Sequence, residues 1–154
     1  MGLALYQYPV FFSFLHATPS IAGKPLSRYW EPMTKEGVPM IAALSLTSAI
    51  GGLVSARWLK THATLETTDV SMWYTYGAVL AAGHLAFLPF TWGPIKRMLQ
   101  AGKEESVKSE EEVDKTNRDE MQTWLTFHTA RMLLVDLPAL WCFAEGAALS
   151  FWVI

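Results

Sequence analysis

The chain has 154 residues, of which 51% are hydrophobic and 13% aromatic, and its formal net charge is −2 at pH 7. This length is typical of one domain. A charge so close to neutral excludes the general basic field that nucleic-acid binding requires. The single cysteine, Cys142, excludes a disulfide framework and a thiolate metal cluster.

The charged side chains are distributed unevenly along the chain. More than half of them lie between Lys96 and Glu120, whereas Val38–Ala56 contains none. Soluble helices mix charge into every outer face, so this segregation is typical of membrane spans joined by polar loops. We therefore predict an all-α, integral membrane four-helix bundle, with residues 1–154 as a single membrane domain.

Four apolar segments approach or exceed the roughly 20 residues that a membrane crossing needs. The predicted spans are approximately residues 2–22, 38–56, 70–92 and 123–152. The longest polar stretch between them is a charged loop at residues 96–120. Pro9 and Pro19 interrupt the first span, Pro39 opens the second, and Pro89 marks a kink in the third.

The two shorter polar loops are predicted at Lys24–Gly37 and Arg57–Asp69, with Trp30 at the level of the lipid headgroups. Lys and Arg favour the cytosolic side of a membrane. The first and third loops hold nine of them, whereas the second holds only Arg57 and Lys60. Both termini are therefore predicted to face away from the cytosol, in a multi-pass protein of the ER or plasma membrane.

The fourth span carries ionisable side chains inside an apolar run. On a helical wheel, one stripe contains Trp124, His128, Arg131, Val135, Pro138, Cys142 and Glu145. Asp136 falls on the opposite face, about 120° from Trp124, and requires a partner of its own. Ionisable groups in lipid face a bundle interior or a wet cavity and often mark function, so this stripe is the leading functional feature.

Three histidines are predicted at a similar depth in the membrane. His16, His84 and His128 each lie six to eight residues from the cytosolic end of their spans, or roughly 9–12 Å inside the boundary. Arg131 would lie one turn deeper than His128. Together these four side chains would form a polar pocket.

Three interpretations of these residues compete. One of the imidazoles, kept neutral by burial, acts as a general base while Arg131 stabilises a developing oxyanion. Alternatively, two or three imidazoles and a carboxylate hold iron, copper or zinc, with all ligands coming from different helices. In the third interpretation the histidines only bond to the backbone, and Arg131 pairs with Asp136 of a neighbouring copy or extends toward the interface.

Several short motifs occur in order along nearly the whole chain. They are Thr18-Pro19-Ser20, Tyr29-Trp30, Lys35-Glu36-Gly37 with Pro39, Leu88-Pro89-Phe90-Thr91 with Pro94 and Leu99, and Trp124, His128 and Arg131 in the spacing Trp-xxx-His-xx-Arg. In this order they resemble the anthrone-oxygenase-like family of small four-helix membrane proteins. One element differs, because the family's Pro-Thr-Asn at the membrane edge is replaced by Pro94, Ile95 and Lys96.

The resemblance implies the oxidation of an anthrone to an anthraquinone by dioxygen, as a tailoring step in the biosynthesis of an aromatic polyketide. It implies a base, His128 or His84, and an oxyanion partner, Arg131. The residues that would line the substrate are Trp73, Tyr76, Trp124, Thr91 and Trp30. The expected partners are a hydrophobic aromatic small molecule, dioxygen, the lipid bilayer and a second copy of the chain, with no nucleic acid and no cofactor.

Two other functions stay open at this point. One is a metal-dependent membrane oxidase that holds iron or copper with His16, His84 and His128. The other is a non-catalytic membrane scaffold or assembly subunit, in which the polar stripe of the fourth span would form helix–helix contacts. Bound metal would identify the first, and loss of assembly on replacing His128 would identify the second.

Overall fold

The computed structural model describes residues 2–62, 69–103 and 109–153, and these form helices and short connections with no β-strand. The prediction of an all-α protein is confirmed. The described residues form four helical segments. They are α1 at Gly2–His16, α2 at Lys24–His62, α3 at Val70–Ala101, and α4, which comprises Glu110–Arg131, Met132–Asp136 and Leu137–Val153.

Although the length predicts one domain, the chain divides into two compact units. Unit 1 comprises Met1–Met40 and Phe87–Ala130, and unit 2 comprises Ile41–Ala86 and Arg131–Ile154. Helix α1 belongs to unit 1, whereas α2, α3 and α4 each contribute residues to both units. The candidate functional residues are therefore described within each unit.

Helices α2, α3 and α4 are each long and apolar enough to cross a membrane. Helix α1 has 15 residues and ends at His16, short of the predicted boundary at residue 22. It is therefore shorter than the about 20 residues of a full crossing. The membrane orientation derived from four spans stays a prediction.

The polar loop predicted at Lys24–Gly37 is wrong, because this segment is the first part of α2. Pro25 lies at the start of the helix, where its fixed backbone angle suits the first turn. Leu26, Ser27 and Trp30 are buried on one face of this amphipathic segment. Trp30 is thus a core residue of unit 1 rather than a headgroup anchor.

The other two predicted loops are also shorter than expected. Helix α2 continues past Ala56 to His62, and the rest of that predicted loop, residues 63–68, lies outside the described residues. Of the predicted charged loop at 96–120, residues 96–101 and 110–120 are helical. At residues 110–120, the start of α4, the helix is stabilised by a cap. Ser109 Oγ accepts a bond from the Glu112 N–H (3.3 Å), and the Ser109 N–H donates to Glu112 Oε2 (2.8 Å).

Apolar packing positions the helices within each unit. In unit 1 the core contains Phe11, Leu15, Ala22, Leu26, Trp30, Ile95, Met98, Met121, Trp124 and Leu125. In unit 2, Phe143 of α4 packs over two glycines, Gly52 of α2 and Gly77 of α3, where an added Cβ would lie within 3 Å of its ring. These glycines allow the backbones of the three helices to approach closely.

Candidate functional site

The structure brings one histidine together with a carboxylate and a guanidinium in unit 2. His84 Nδ1 lies 2.8 Å from Asp136 Oδ1, and Arg131 Nε lies 3.5 Å from Asp136 Oδ2. The carboxylate of Asp136 therefore contacts both the imidazole of His84 and the guanidinium of Arg131, with a different oxygen for each. We call His84, Asp136 and Arg131 the polar triad.

Both helices depart from α-helical geometry where the polar triad forms. His84 begins a short 3₁₀ turn of α3 that ends at Phe87, and Asp136 ends a π-helical turn of α4 that begins at Met132. A proline lies two residues beyond each turn, Pro89 in α3 and Pro138 in α4. Proline cannot donate to the helical hydrogen-bond pattern, so irregular turns are expected before it. Departures of this kind often occur at functional sites.

The polar triad is largely, but not fully, buried. The side chains of His84, Asp136 and Arg131 are 16%, 13% and 10% exposed. A carboxylate bonded to Nδ1 fixes the tautomer of an imidazole and leaves Nε2 to accept a proton. The arrangement is thus chemically suited to a general base supported by a carboxylate, with an arginine close by to stabilise negative charge.

His128, a predicted catalytic residue, lies in unit 1 in a different environment. It is fully buried, with 0% exposure. Its ring stacks on Trp124 at a centroid distance of 4.7 Å and lies 5.2 Å from the ring of Tyr8. The hydroxyl of Tyr8 shares a 2.6 Å hydrogen bond with Thr129 Oγ1. The His128 ring is therefore buried against the rings of Trp124 and Tyr8.

Two of the predicted substrate-lining residues, Trp30 and Trp124, are core residues of unit 1. Trp30 stacks nearly parallel on Phe11 at 5.0 Å, and Trp124 meets both rings edge-on at about 5 Å. Thr91 is also buried, and its hydroxyl donates to the carbonyl of Phe87, at 3.2 Å, within α3. These three side chains therefore contact neighbouring side chains and backbone of unit 1.

The other two predicted lining residues belong to α3 in unit 2. Trp73 is half-buried, and Tyr76 is 53% exposed. They precede His84 by eleven and eight residues, which corresponds to about 16 and 12 Å along the helix axis. They therefore lie away from the polar triad, although on the same helix as its histidine.

The structure does not assemble the predicted group of three histidines. His16 is exposed at the end of α1, where its ring stacks on Phe12 at 5.9 Å. Within the described ranges, no three side chains of His, Cys, Asp and Glu are grouped so that they could hold a metal ion. Of the ligand set of the metal-dependent alternative, His16 and His128 belong to unit 1 and His84 belongs to unit 2.

Asp136 contacts His84, a pairing that the sequence did not predict. The helical wheel placed it opposite Arg131 and His128, because the wheel assumes about 100° per residue throughout. The π turn changes the angle between successive side chains, so Asp136 points toward Arg131 of the same chain. Within one chain Arg131 therefore lies beside Asp136, and the alternative of a contact with Asp136 of a neighbouring copy stays a prediction. Pro138 was the sequence signal, since proline distorts the turn before it.

The charged pairs of unit 1 lie outside the predicted spans. Arg118 donates from Nε to Asp114 Oδ2 (2.8 Å) and from Nη1 to the carbonyl of Leu15 (2.7 Å) at the end of α1. Ser20 also donates to Asp114. Burial raises the pKa of Asp114, but the hydrogen bonds from Ser20 and Arg118 outweigh it, and the pKa lies below its ordinary value. This network fixes the end of α1 against α4.

No protein-family model, no curated protein and no solved structure matches the chain. The function is therefore inferred from the chemistry of the polar triad and from the motifs quoted from the sequence.

Proposed function

We propose that this protein is a membrane-embedded oxygenase that converts an anthrone-like aromatic polyketide to a quinone with dioxygen. The observation that supports it is the polar triad, in which a carboxylate orients one imidazole beside an arginine. His84 is the base and Arg131 is the oxyanion partner. His128, the other candidate base, is enclosed by aromatic rings.

The apolar surface of unit 2 supports a location in lipid. Large side chains of α2 such as Leu44, Ile50 and Val54 are each more than half exposed. A surface of this kind on a long apolar helix is suited to hydrocarbon rather than water. A hydrophobic polycyclic substrate would then reach the polar triad from the bilayer, in the ER or the plasma membrane.

The proposed reaction begins with proton transfer. Nε2 of His84 removes a proton from the central methylene of the anthrone, and the electron pair moves onto the ketone oxygen, where Arg131 stabilises the charge. The anion transfers electrons to dioxygen and forms a carbon–oxygen bond, and the resulting peroxide takes the proton back from Nε2 of His84. Loss of water then gives the quinone, so that one anthrone and one dioxygen yield one anthraquinone and one water.

The test is oxygen consumption by the purified full chain in detergent, with anthrone as the probe. The expected rate lies above the spontaneous rate and falls by at least about 10²-fold in His84→Gln, since a general base contributes 10²–10⁴-fold. His62→Gln is the matched control, because His62 is an exposed histidine at the end of α2. Its rate should equal that of the wild type.

Three outcomes would contradict the proposal. Folded protein with no rate above background would exclude anthrone oxidation. Activity that disappears on metal removal would favour the metal-dependent oxidase. A His84→Gln variant that loses a stable assembly, without any turnover in the wild type, would favour the membrane scaffold.

A further inference from the structure

Arg131 and Asp136 are five residues apart on α4, a spacing that an α-helix does not bring together. At about 100° per residue, their side chains would point about 140° apart. Nevertheless, Arg131 Nε lies 3.5 Å from Asp136 Oδ2. The contact between them therefore requires a local departure from the α-helix.

That departure is the π turn Met132–Asp136. The N–H of Leu137 donates to the carbonyl of Met132, five residues back rather than four. A turn that closes after five residues brings side chains five apart toward one face. The π turn is thus the element that allows one carboxylate to contact both Arg131 and His84.

Pro138 lies two residues beyond this π turn. In a regular α-helix its ring would collide with the carbonyl of Leu134, and it has no N–H to donate. The same arrangement recurs in unit 1, where α2 contains the π turn Met33–Gly37 and Pro39 lies two residues beyond it. Both π turns are thus followed by a proline, although only one of them carries a residue of the polar triad.

We propose that Pro138 is a positioning residue, which maintains the π turn and thereby holds Asp136 against both His84 and Arg131. Without it, the chain relaxes to a regular α-helix, and Asp136 turns away from Arg131. The catalytic consequence rests on the proposed function, but the geometry can be tested without a substrate.

The test uses nuclear magnetic resonance of the full chain labelled with ¹⁵N at its four histidines. The His84→Gln variant identifies the resonances of His84. In the wild type, the ¹⁵N chemical shift of His84 Nδ1 is expected to be that of an imidazole nitrogen that is hydrogen-bonded to a carboxylate. Pro138→Ala should abolish that shift. Pro39→Ala is the matched control, since it relaxes the equivalent π turn in unit 1, and it should retain the shift.

Anthrone oxidation gives a second readout. Pro138→Ala should lower kcat/KM by about tenfold or more, because small misplacements of a catalytic group have effects of this size. Pro39→Ala should leave the rate unchanged. A wild type without turnover, but with a His84 shift that only Pro138→Ala abolishes, would overturn the proposed function and support the positioning role.

A second variant tests directly which position of α4 faces His84 and Arg131. Exchanging the two side chains, Val135→Asp with Asp136→Val, moves the carboxylate to the position that an α-helix would bring toward Arg131. With the π turn in place, the His84 shift should be lost. Retention of the shift in this double variant, or in Pro138→Ala, would overturn the positioning role.

Discussion

His84 of α3 and Asp136 of α4 share a 2.8 Å hydrogen bond although 52 residues separate them in the chain. Both belong to unit 2, and each lies in a turn that departs from α-helical geometry. The bond gives the imidazole a defined orientation at a largely buried position. It also provides the carboxylate of Asp136 with the partner that a group in an apolar segment requires.

Asp136→Asn should impair catalysis more than binding. The amide has no charge to hold the tautomer of His84 in place, so kcat for anthrone oxidation should fall by about 10²-fold while KM changes little. Asp119→Asn is the control, since Asp119 is an exposed residue of α4 in unit 1. An Asp136→Asn enzyme with the wild-type kcat would exclude a role of the carboxylate in the reaction.

His128→Ala should reduce stability rather than act on the chemical step. It removes a fully buried ring that stacks on Trp124, and truncations of this kind cost about 2–4 kcal/mol. Thermal unfolding in detergent measures the loss, and His62→Ala, an exposed histidine, provides the comparison. A stable His128→Ala protein without activity would instead restore His128 as the base.

Gly52→Ala should destabilise unit 2, whereas Gly51→Ala should not. A Cβ at Gly52 would lie 2.8 Å from the Phe143 ring and 3.0 Å from the Tyr74 carbonyl, while a Cβ at Gly51 meets nothing within 4 Å. Overpacking of this kind costs about 1–3 kcal/mol. The midpoints of thermal unfolding of the two variants provide the measurement. Equal midpoints would contradict the close packing of α2 against Phe143.

The contribution of Asp114 to stability should depend on pH. Its folded pKa is lowered, so the stabilisation is present above the unfolded value of about 3.9 and is lost as the pH falls through the folded pKa. Asp114→Asn should therefore cost about 1 kcal/mol at pH 7 and much less near pH 2. Unfolding curves at the two pH values measure the difference. A cost that is the same at both would show that the charge of Asp114 does not stabilise the fold.

Labelling of single cysteines tests the predicted orientation. In a Cys142→Ala background, Lys60→Cys should react with a membrane-impermeant maleimide from the non-cytosolic side, whereas Lys35→Cys should not. The two positions lie on either side of the charge-free segment of α2. The reverse labelling pattern would show that the excess of Lys and Arg does not set the orientation.

The all-α fold could be predicted because apolar segments long enough for a helix are a local property of the sequence. The amphipathic segments are harder to identify. The sequence predicts a polar loop at Lys24–Gly37 and a charged, solvated segment at residues 96–120, for which a helix is the alternative. Apolar residues of these segments, such as Leu26 and Val113, are nevertheless buried, and Leu26 packs in a core formed by remote parts of the chain. Charge dominates their composition, so hydropathy alone indicates a solvated segment.

The candidate site, like the fold, depends partly on local sequence and partly on tertiary structure. Local sequence determined that His84, Arg131 and Asp136 lie in apolar helices, where ionisable groups are costly and require partners. Only the tertiary structure joined His84 to Asp136. The physical reason is that a helical wheel advances every residue by the same angle. A single π turn before Pro138 changes that angle, and the packing of α3 against α4 then decides which imidazole the carboxylate meets.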